Sequence, residues 1–478
     1  LESKYSLETD PDEKYDISDS IYYFNVGEIQ RDEKDIEMVG YSQLDNTAII
    51  IGRKILNTFD NGYLIASELE GTATINNQVV TSNGEEDILL VKYNENDEIE
   101  WIKTIGGTDE ERIKNVDQLS DGGYIISGYY SSDKIEMGDI TITNSTTNGN
   151  CDFYVIKCNS SGDVVWADSI GGAYNDYPFF VTSTSDGGFI GTGTFFSPSI
   201  TINGETINNS DTTEVSQDGI IVKYNKDCEV EWYETVSGEG TDSPEEIIEL
   251  KDGNYVVSGT FTDTLNIKNN SIRSYGSDDI FVAKIDKTGN VLWLRDMGSQ
   301  SNEILYDLTE KDNGEILVAF YAGESRVNYI DVNQGQLIAH FSAYGEIKNI
   351  ESFGSRTDIM QLIKSDDGGY IACGYTYAWN QSTGEYNGQE FTSKNDYLGW
   401  IVKYNKNNTI EYSYNFGKRE ASVGNSYDGF YGVIERKDGT LKAMYNMKSG
   451  SVTEDGISIE NKSSYNMATI DFNIKDKE

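Results

Sequence analysis

Any chemistry in this sequence would fall to carboxylates. His340 is the only histidine, and cysteines stand only at Cys151, Cys158, Cys228 and Cys373. Asp plus Glu number 81 against 37 Lys plus Arg. A Ser-His-Asp triad or a His-containing zinc cluster would have to use His340. That residue occupies a strand position that other segments fill with Lys92, Lys157, Lys223, Lys284 and Lys403. A position interchangeable with lysine is structural, so neither chemistry is expected, and the scattered cysteines make no Cys-only site. Cys151 and Cys158 bracket one expected strand, about 20 Å of extended chain, which no disulfide spans. The thiols are expected to be free, with an approach of Cys158 to Cys228 from adjacent units as the alternative.

Acidic residues recur in equivalent connections: Asp109, Asp176, Asp242, Asp358 and Asp428, with Asn302 or Glu303 at one further place. Recurrence points to side chains that bond nearby backbone N–H groups. It would also gather a carboxylate from most units near one end of the molecule. These five Asp are the candidates for a Ca²⁺ site, although no DxDxDG loop accompanies them. No other cofactor is expected. A carboxylate pair of a glycosidase or lyase is the enzymatic alternative, but with 81 acids no single pair stands out.

Glycine pairs raise a different chemistry. "SDGGYIISGYY" (120–130) has the look of a phosphate loop, yet no helix follows to aim backbone N–H groups. The same acid-glycine stretch recurs as "DNGYLIA" at Asp60, "DGGFIGT" at Asp186, "DGNYVVS" at Asp252, "DNGEILVA" at Asp312, "DGGYIA" at Asp367 and "DGTLKA" at Asp438. Asp-Gly and Asn-Gly between short apolar runs mark tight hairpins, because such turns require positive φ.

A second hairpin follows each first one. Its leading strand reads "DILLVKYN" at Asp87, "DFYVIKCN" at Asp152, "DGIIVKYN" at Asp218 and "DIFVAKID" at Asp279, with weaker copies at Gly335, Leu398 and Met467. Its returning strand carries Trp101, Trp166, Trp232, Trp293 or Tyr412, with Asn349 the exception. Four-stranded units repeated radially are the blades of a propeller. The expected fold is therefore all-β: a seven-bladed β-propeller of four-stranded antiparallel blades. The last unit lacks a returning strand, and "DSIYYFNVG" (19–27), with Tyr22 in the aromatic register, is expected to close the ring and remove two open edges. Residues 1–17 would be a charged leader, 18–478 a single propeller, and 28–51 an inserted hairpin or lengthened connection. An eight-bladed count using "DNTAIIIG" is the alternative.

The run "GTATINNQVVTSNGEEDILLVKYNENDEIEWIKTIGG" (71–107), followed by "SDGGYIISG", resembles the secreted bacterial seven-bladed propeller repeats of the SBBP type. The likeness is strong in the first four units and weaker in the last three. It implies a seven-bladed fold and a secreted or surface location. It implies no fixed activity, since propellers host many functions.

Composition agrees with that setting. A net charge of −44 repels nucleic acid and anionic membranes. No run of 18 apolar residues offers a bilayer span. The chain starts at Leu without a basic-plus-apolar leader, as expected of a mature or excised piece, and 33 Tyr and 47 Gly suit a bacterial surface β-protein. A monomer is expected.

In a propeller one face carries the tight turns and the other carries the longer connections. Length variation here falls on the second face, where binding is expected. Two segments stand out on it. The loop "YTYAWNQSTGEYNGQEFTSKNDY" (375–397) offers Tyr375, Tyr377, Trp379, Tyr386, Phe391 and Tyr397. The connection "GGAYNDYPFF" (171–180) offers Tyr174, Asp176, Tyr177 and Phe179. Aromatics beside amides and carboxylates suit sugar rings or a protein anchor, or else they pack the loops onto their own blades. The expected role is a non-enzymatic adhesion or binding module for a glycan or extracellular protein. A carboxylate-based glycan hydrolase or lyase, and a structural spacer, are the alternatives.

Overall fold

The computed structural model describes residues 34–476 apart from 46, 147–148, 203, 211–216, 325, 328–329, 333, 355–356, 378–382, 387–388, 393–396, 417–427 and 455–456. Among the described residues there is no helix. The turn signals place the strands. The first sheet runs Ile49–Asn57, Tyr63–Ile75, Gln78–Tyr93 and Ile99–Ile105, side by side in chain order and antiparallel. Among the described residues six sheets have four strands each. Another begins in the same way with Asp176–Ser183, Phe189–Phe195, Asp218–Tyr224 and Val230–Glu239, then continues through Thr264–Ile267 and Asn270–Arg273. This is a β-propeller of small antiparallel four-stranded blades.

The first strand of each blade touches the first strand of the next. Contact passes from Ile49–Asn57 through Glu111–Gln118, Asp176–Ser183, Asp242–Glu249, Glu303–Glu310 and Thr357–Lys364 to Gly429–Glu435, which touches Ile49–Asn57 again. Each of these strands has a register shift at the same place, such as Ile113/Asn115, Pro244/Glu246 and Leu305/Asp307. The residue after the bulge stitches blade to blade. Asn115 Nδ2 donates to Val181 O at 2.8 Å, and Gln361 Oε1 accepts from Val433 N at 2.7 Å.

Blade-on-blade packing explains why the strands are apolar at consecutive positions. Successive side chains point to opposite faces of a strand. Leu64 and Ala66 pack with Ile113, Val116 and Ile126 of the following blade, while Tyr63 and Ile65 pack with Ile434, Met444 and Met467 on the other side. Both faces are core, and each fully buried Leu or Ile contributes about 1.5–3 kcal/mol.

The N-terminal region differs from expectation. Residues 19–27 lie outside the described residues. The strand paired with the end of the chain is Lys34–Gln43, antiparallel to Ile457–Asp476 from Lys34↔Asp476 to Gln43↔Ala468. Residues 28–51 are therefore not an inserted hairpin, since Ile49–Asn57 is the first strand of the first sheet. Elsewhere an aromatic faces the buried lysine, as in Lys92↔Trp101, but here Gly40 faces Asp471.

Several connections on the variable face are not irregular loops either. They fold as hairpins, among them Lys134–Met137 with Ile140–Thr143 and Ser199–Ile202 with Glu205–Asn208. In the first and last sheets the two middle strands simply run on past the sheet.

Candidate functional site

On the turn face, the acid-glycine stretches are built for structure. Asp60 Oδ1 accepts from Gly62 N, Asp121 from Gly123 N, Asp186 from Gly188 N and Asp367 from Gly369 N. Gly122, between such residues, has φ +84, which a side chain rarely adopts. The turn carboxylate also receives the buried lysine of the third strand. Lys92 Nζ lies 2.8 Å from Asp60 and 2.8 Å from Glu100, Lys223 lies 2.9 Å from Asp186, and Lys284 lies 2.7 Å from Asp252. Burial alone would raise the pKa of Asp60. Bonds from Lys92, Thr58 and Gly62 outweigh it and hold the group below the ordinary range. In the last sheet the pair is transposed: Lys442 on the second strand meets Asp471 on the third at 2.5 Å.

His340 takes the lysine's place. It is buried, with Nδ1 3.5 Å from Glu315 and Nε2 in a 3.3 Å charge contact with Glu351. Burial opposes its charge, but the two glutamates overcome burial and push its pKa up to about 9. An imidazolium held this firmly is a cation in a strand, not a general base. The four cysteines are free.

On the variable face, the structure separates the expected binding residues. Tyr174 is exposed. Tyr177 is half-buried and meets Tyr129 edge-on at 5.1 Å and Phe196 at 6.4 Å. Tyr129 stands directly across the strand pair from Arg112. Asp176, Phe179 and Tyr375 are buried and offer no open surface. Phe179 stacks on Phe153 at 5.5 Å, and Tyr375 stacks on Tyr431 at 5.9 Å. The reason is local: the chain is already a strand from Asp176 onward, so alternate residues turn into the core. Tyr377 pairs with Tyr397, and Tyr386 with Gln389 in the hairpin Thr383–Tyr386/Gln389–Thr392. Trp379 lies outside the described residues. Tyr129 and Phe196 were missed because both sit in or beside strands that read as core.

The recurring acids prove to be half of a larger pattern. The structurally equivalent residues are Glu111, Asp176, Asp242 and Glu303, which open the first strand of a blade, and Asp428, just before such a strand; each is buried. Asp109 is exposed beside this position, and Asp358 falls one residue beyond it, where Tyr306 and Gln336 each donate to it at 3.2 Å. Four of these acids face a second buried acid in the third strand of the preceding blade: Asp87, inside its long strand, and Asp152, Asp218 and Asp279, which open theirs. The backbone brings them together. Asp176 N donates to Cys151 O at 2.7 Å, Asp242 N to Gln217 O at 2.9 Å, and Glu303 N to Asp278 O at 2.7 Å.

Burial is the leading cause that raises these carboxyls, to about 7 for Glu111, Asp176 and Glu303, about 6 for Asp279 and about 8 for Asp242. Donors compensate unequally. Asp176 accepts from Phe196 N, Ser197 N, Ser197 Oγ and Gly172 N. Glu303 accepts from both Ser299 N and Ser299 Oγ. Asp242 has no partner at either oxygen. The signal for the second acid was present, since each of these four third strands carries the Asp. The glycines after the fourth strand follow from it, because a Cβ at Gly106, Gly171 or Gly298 would fall inside Asp87, Asp152 or Asp279.

Among the described residues one cluster, Glu85, Glu86 and Glu110, has three acids within metal-binding reach. Arg112 already neutralises it, 3.1 Å from Glu86 and bonded to Glu110 and Glu68.

No family model matches the chain, and no curated protein matches it. Solved structures resemble the chain at low identity. A protein of unknown function from Dyadobacter fermentans is 11% identical, with TM-score 0.46 over 92% of this chain and 99% of that one. A streptogramin B lyase is 12% identical, with TM-score 0.44 over 92% and 98%. A protein of unknown function from Bacteroides caccae is 13% identical, with TM-score 0.38 over 70% and 92%.

Proposed function

We propose that the chain is a non-enzymatic binding module of a bacterial surface or secreted protein, a seven-bladed propeller of the SBBP type that engages a glycan through its variable face. The blade count rests on taking the six-stranded sheet as one further blade, since its first four strands keep the order of the others. It also rests on reading Lys34–Gln43 as the closing strand. That pairing carries a bulge at Met38/Gly40, matching the bulge beside the lysine in the other blades.

The observation that carries the binding reading is the ring set Tyr129, Tyr177 and Phe196, with Tyr174 exposed nearby and Arg112 opposite Tyr129. Such a set offers ring faces and polar groups to a sugar. The four acid pairs between blades, such as Asp152 with Asp176, are buried, which favours binding over hydrolysis at those pairs. A glycan array tests the reading. Tyr177→Ala and Trp379→Ala should each weaken the best signal by about tenfold, roughly 1.4 kcal/mol. If wild-type protein binds no glycan, the glycan reading fails, and an extracellular protein becomes the ligand to seek.

A further inference from the structure

We propose that Asp218 and Asp242 form a binding site for a hard divalent cation of the Ca²⁺ class, clamped between two neighbouring blades.

Asp242 is fully buried, and neither of its oxygens has a partner among the described residues. Its backbone is fixed by the bond from its N to Gln217 O and by the bridge between Gln217 and Thr241. That bond places it beside Asp218, which is 1% exposed. Asp218 is held by Ser210, whose N donates to Oδ2 at 2.6 Å and whose Oγ donates to Oδ1 at 2.8 Å.

The three sister junctions show what is special here. Glu111 has a bond from Gly107 N, and Asp176 and Glu303 have backbone and serine donors. In the sister loops the fourth strand ends in Gly106-Gly107, Gly171-Gly172 or Gly298-Ser299. Here the strand instead runs on through Val230–Glu239 and zips onto Thr264–Ile267. The donors elsewhere are Gly107 N, Gly172 N and Ser299 N, and their counterpart Gly238 is paired with Leu265 in that ladder. The place of Ser132 and Ser197, two residues past the strand partner of the acid, is held here by Asp263, which brings no hydroxyl donor.

Two carboxylates brought together out of water, one of them without a donor, need either a cation or a shared proton. Oxygen-only ligands of this kind suit a hard cation that completes its shell with carbonyls or water. The affinity expected is that of extracellular modules, roughly 10⁻⁴ to 10⁻³ M.

The test uses the whole chain, stripped with chelator and titrated with CaCl₂ at constant ionic strength, with thermal unfolding and calorimetric titration as readouts. Wild type should gain several degrees in midpoint with Ca²⁺. Asp242→Asn should lose that gain and one binding event, and in chelator it should be at least as stable as wild type, because it lacks the uncompensated charge. Asp227→Asn, an exposed change, should keep the full response and so control for diffuse binding to a chain of charge −44. A Ca²⁺ response unchanged in Asp242→Asn overturns the proposal. So does a wild type indifferent to Ca²⁺ but stabilised by acidification, which would mean that a shared proton does the work. These outcomes are independent of whether any glycan binds.

Discussion

At the residue scale, the ion web on the turn face makes an asymmetric prediction. Lys92 is almost fully buried, while Asp60 and Glu100 are half exposed and can be hydrated. Lys92→Met should stay within about 1.5 kcal/mol of wild type. The double change Asp60→Ala with Glu100→Ala strands a buried ammonium and should cost about 3 kcal/mol or more in urea unfolding. His340 adds a pH dependence. Its folded pKa of about 9 exceeds the unfolded value of about 6.5. Its contribution is therefore complete below pH ~6.5 and is lost as pH rises through the folded pKa. His340→Lys, the choice made in five other blades, should remove that loss. If the urea midpoints of wild type and variant fall in parallel between neutral pH and pH 9, the imidazolium assignment is wrong.

At the element scale, glycine has two separate roles that mutation can distinguish. Gly122 is required by its positive φ, so Gly122→Ala should cost about 1–2 kcal/mol whatever its neighbours are. Gly171 is required by the Asp152 side chain, so Gly171→Ala should be partly rescued by Asp152→Ala, which removes the carboxylate but keeps a Cβ at 2.8 Å, giving a coupling of about 1 kcal/mol or more in a double-mutant cycle. Additive effects would show that the clash is relieved some other way. The hairpins were legible because Asp-Gly turns, strand-entry residues and the returning tryptophans repeat at fixed offsets. The same repetition hid other things. Tyr177 and Phe179 read alike as aromatics in a connection, yet strand alternation and a bulge send Phe179 into the core and leave Tyr177 at the surface. Asp87 and Glu111 lie in different repeats, and only the contact between blades reveals them as a pair. The strand Lys34–Gln43 was invisible because Gly40 stands where most other blades have an aromatic.

At the scale of the whole molecule, the pairing of Lys34–Gln43 with Ile457–Asp476 joins residues more than 400 positions apart, as in the bond from Thr469 Oγ1 to Ser42 O. Truncation through residue 33 should leave the midpoint temperature within error. Truncation through residue 45 should expose the edge of the last sheet, lower the midpoint sharply and promote aggregation. Equal loss from both truncations would return the closing role to residues 19–27.

This pairing also sets how the ring responds to force. Because the strands are antiparallel and Lys34 lies opposite Asp476, the two ends of the described chain leave the sheet at the same corner. Tension applied between those ends loads the rungs of the ladder one after another instead of all together. Under stretch the ring would unzip at this one seam, at low force, before any other blade yields.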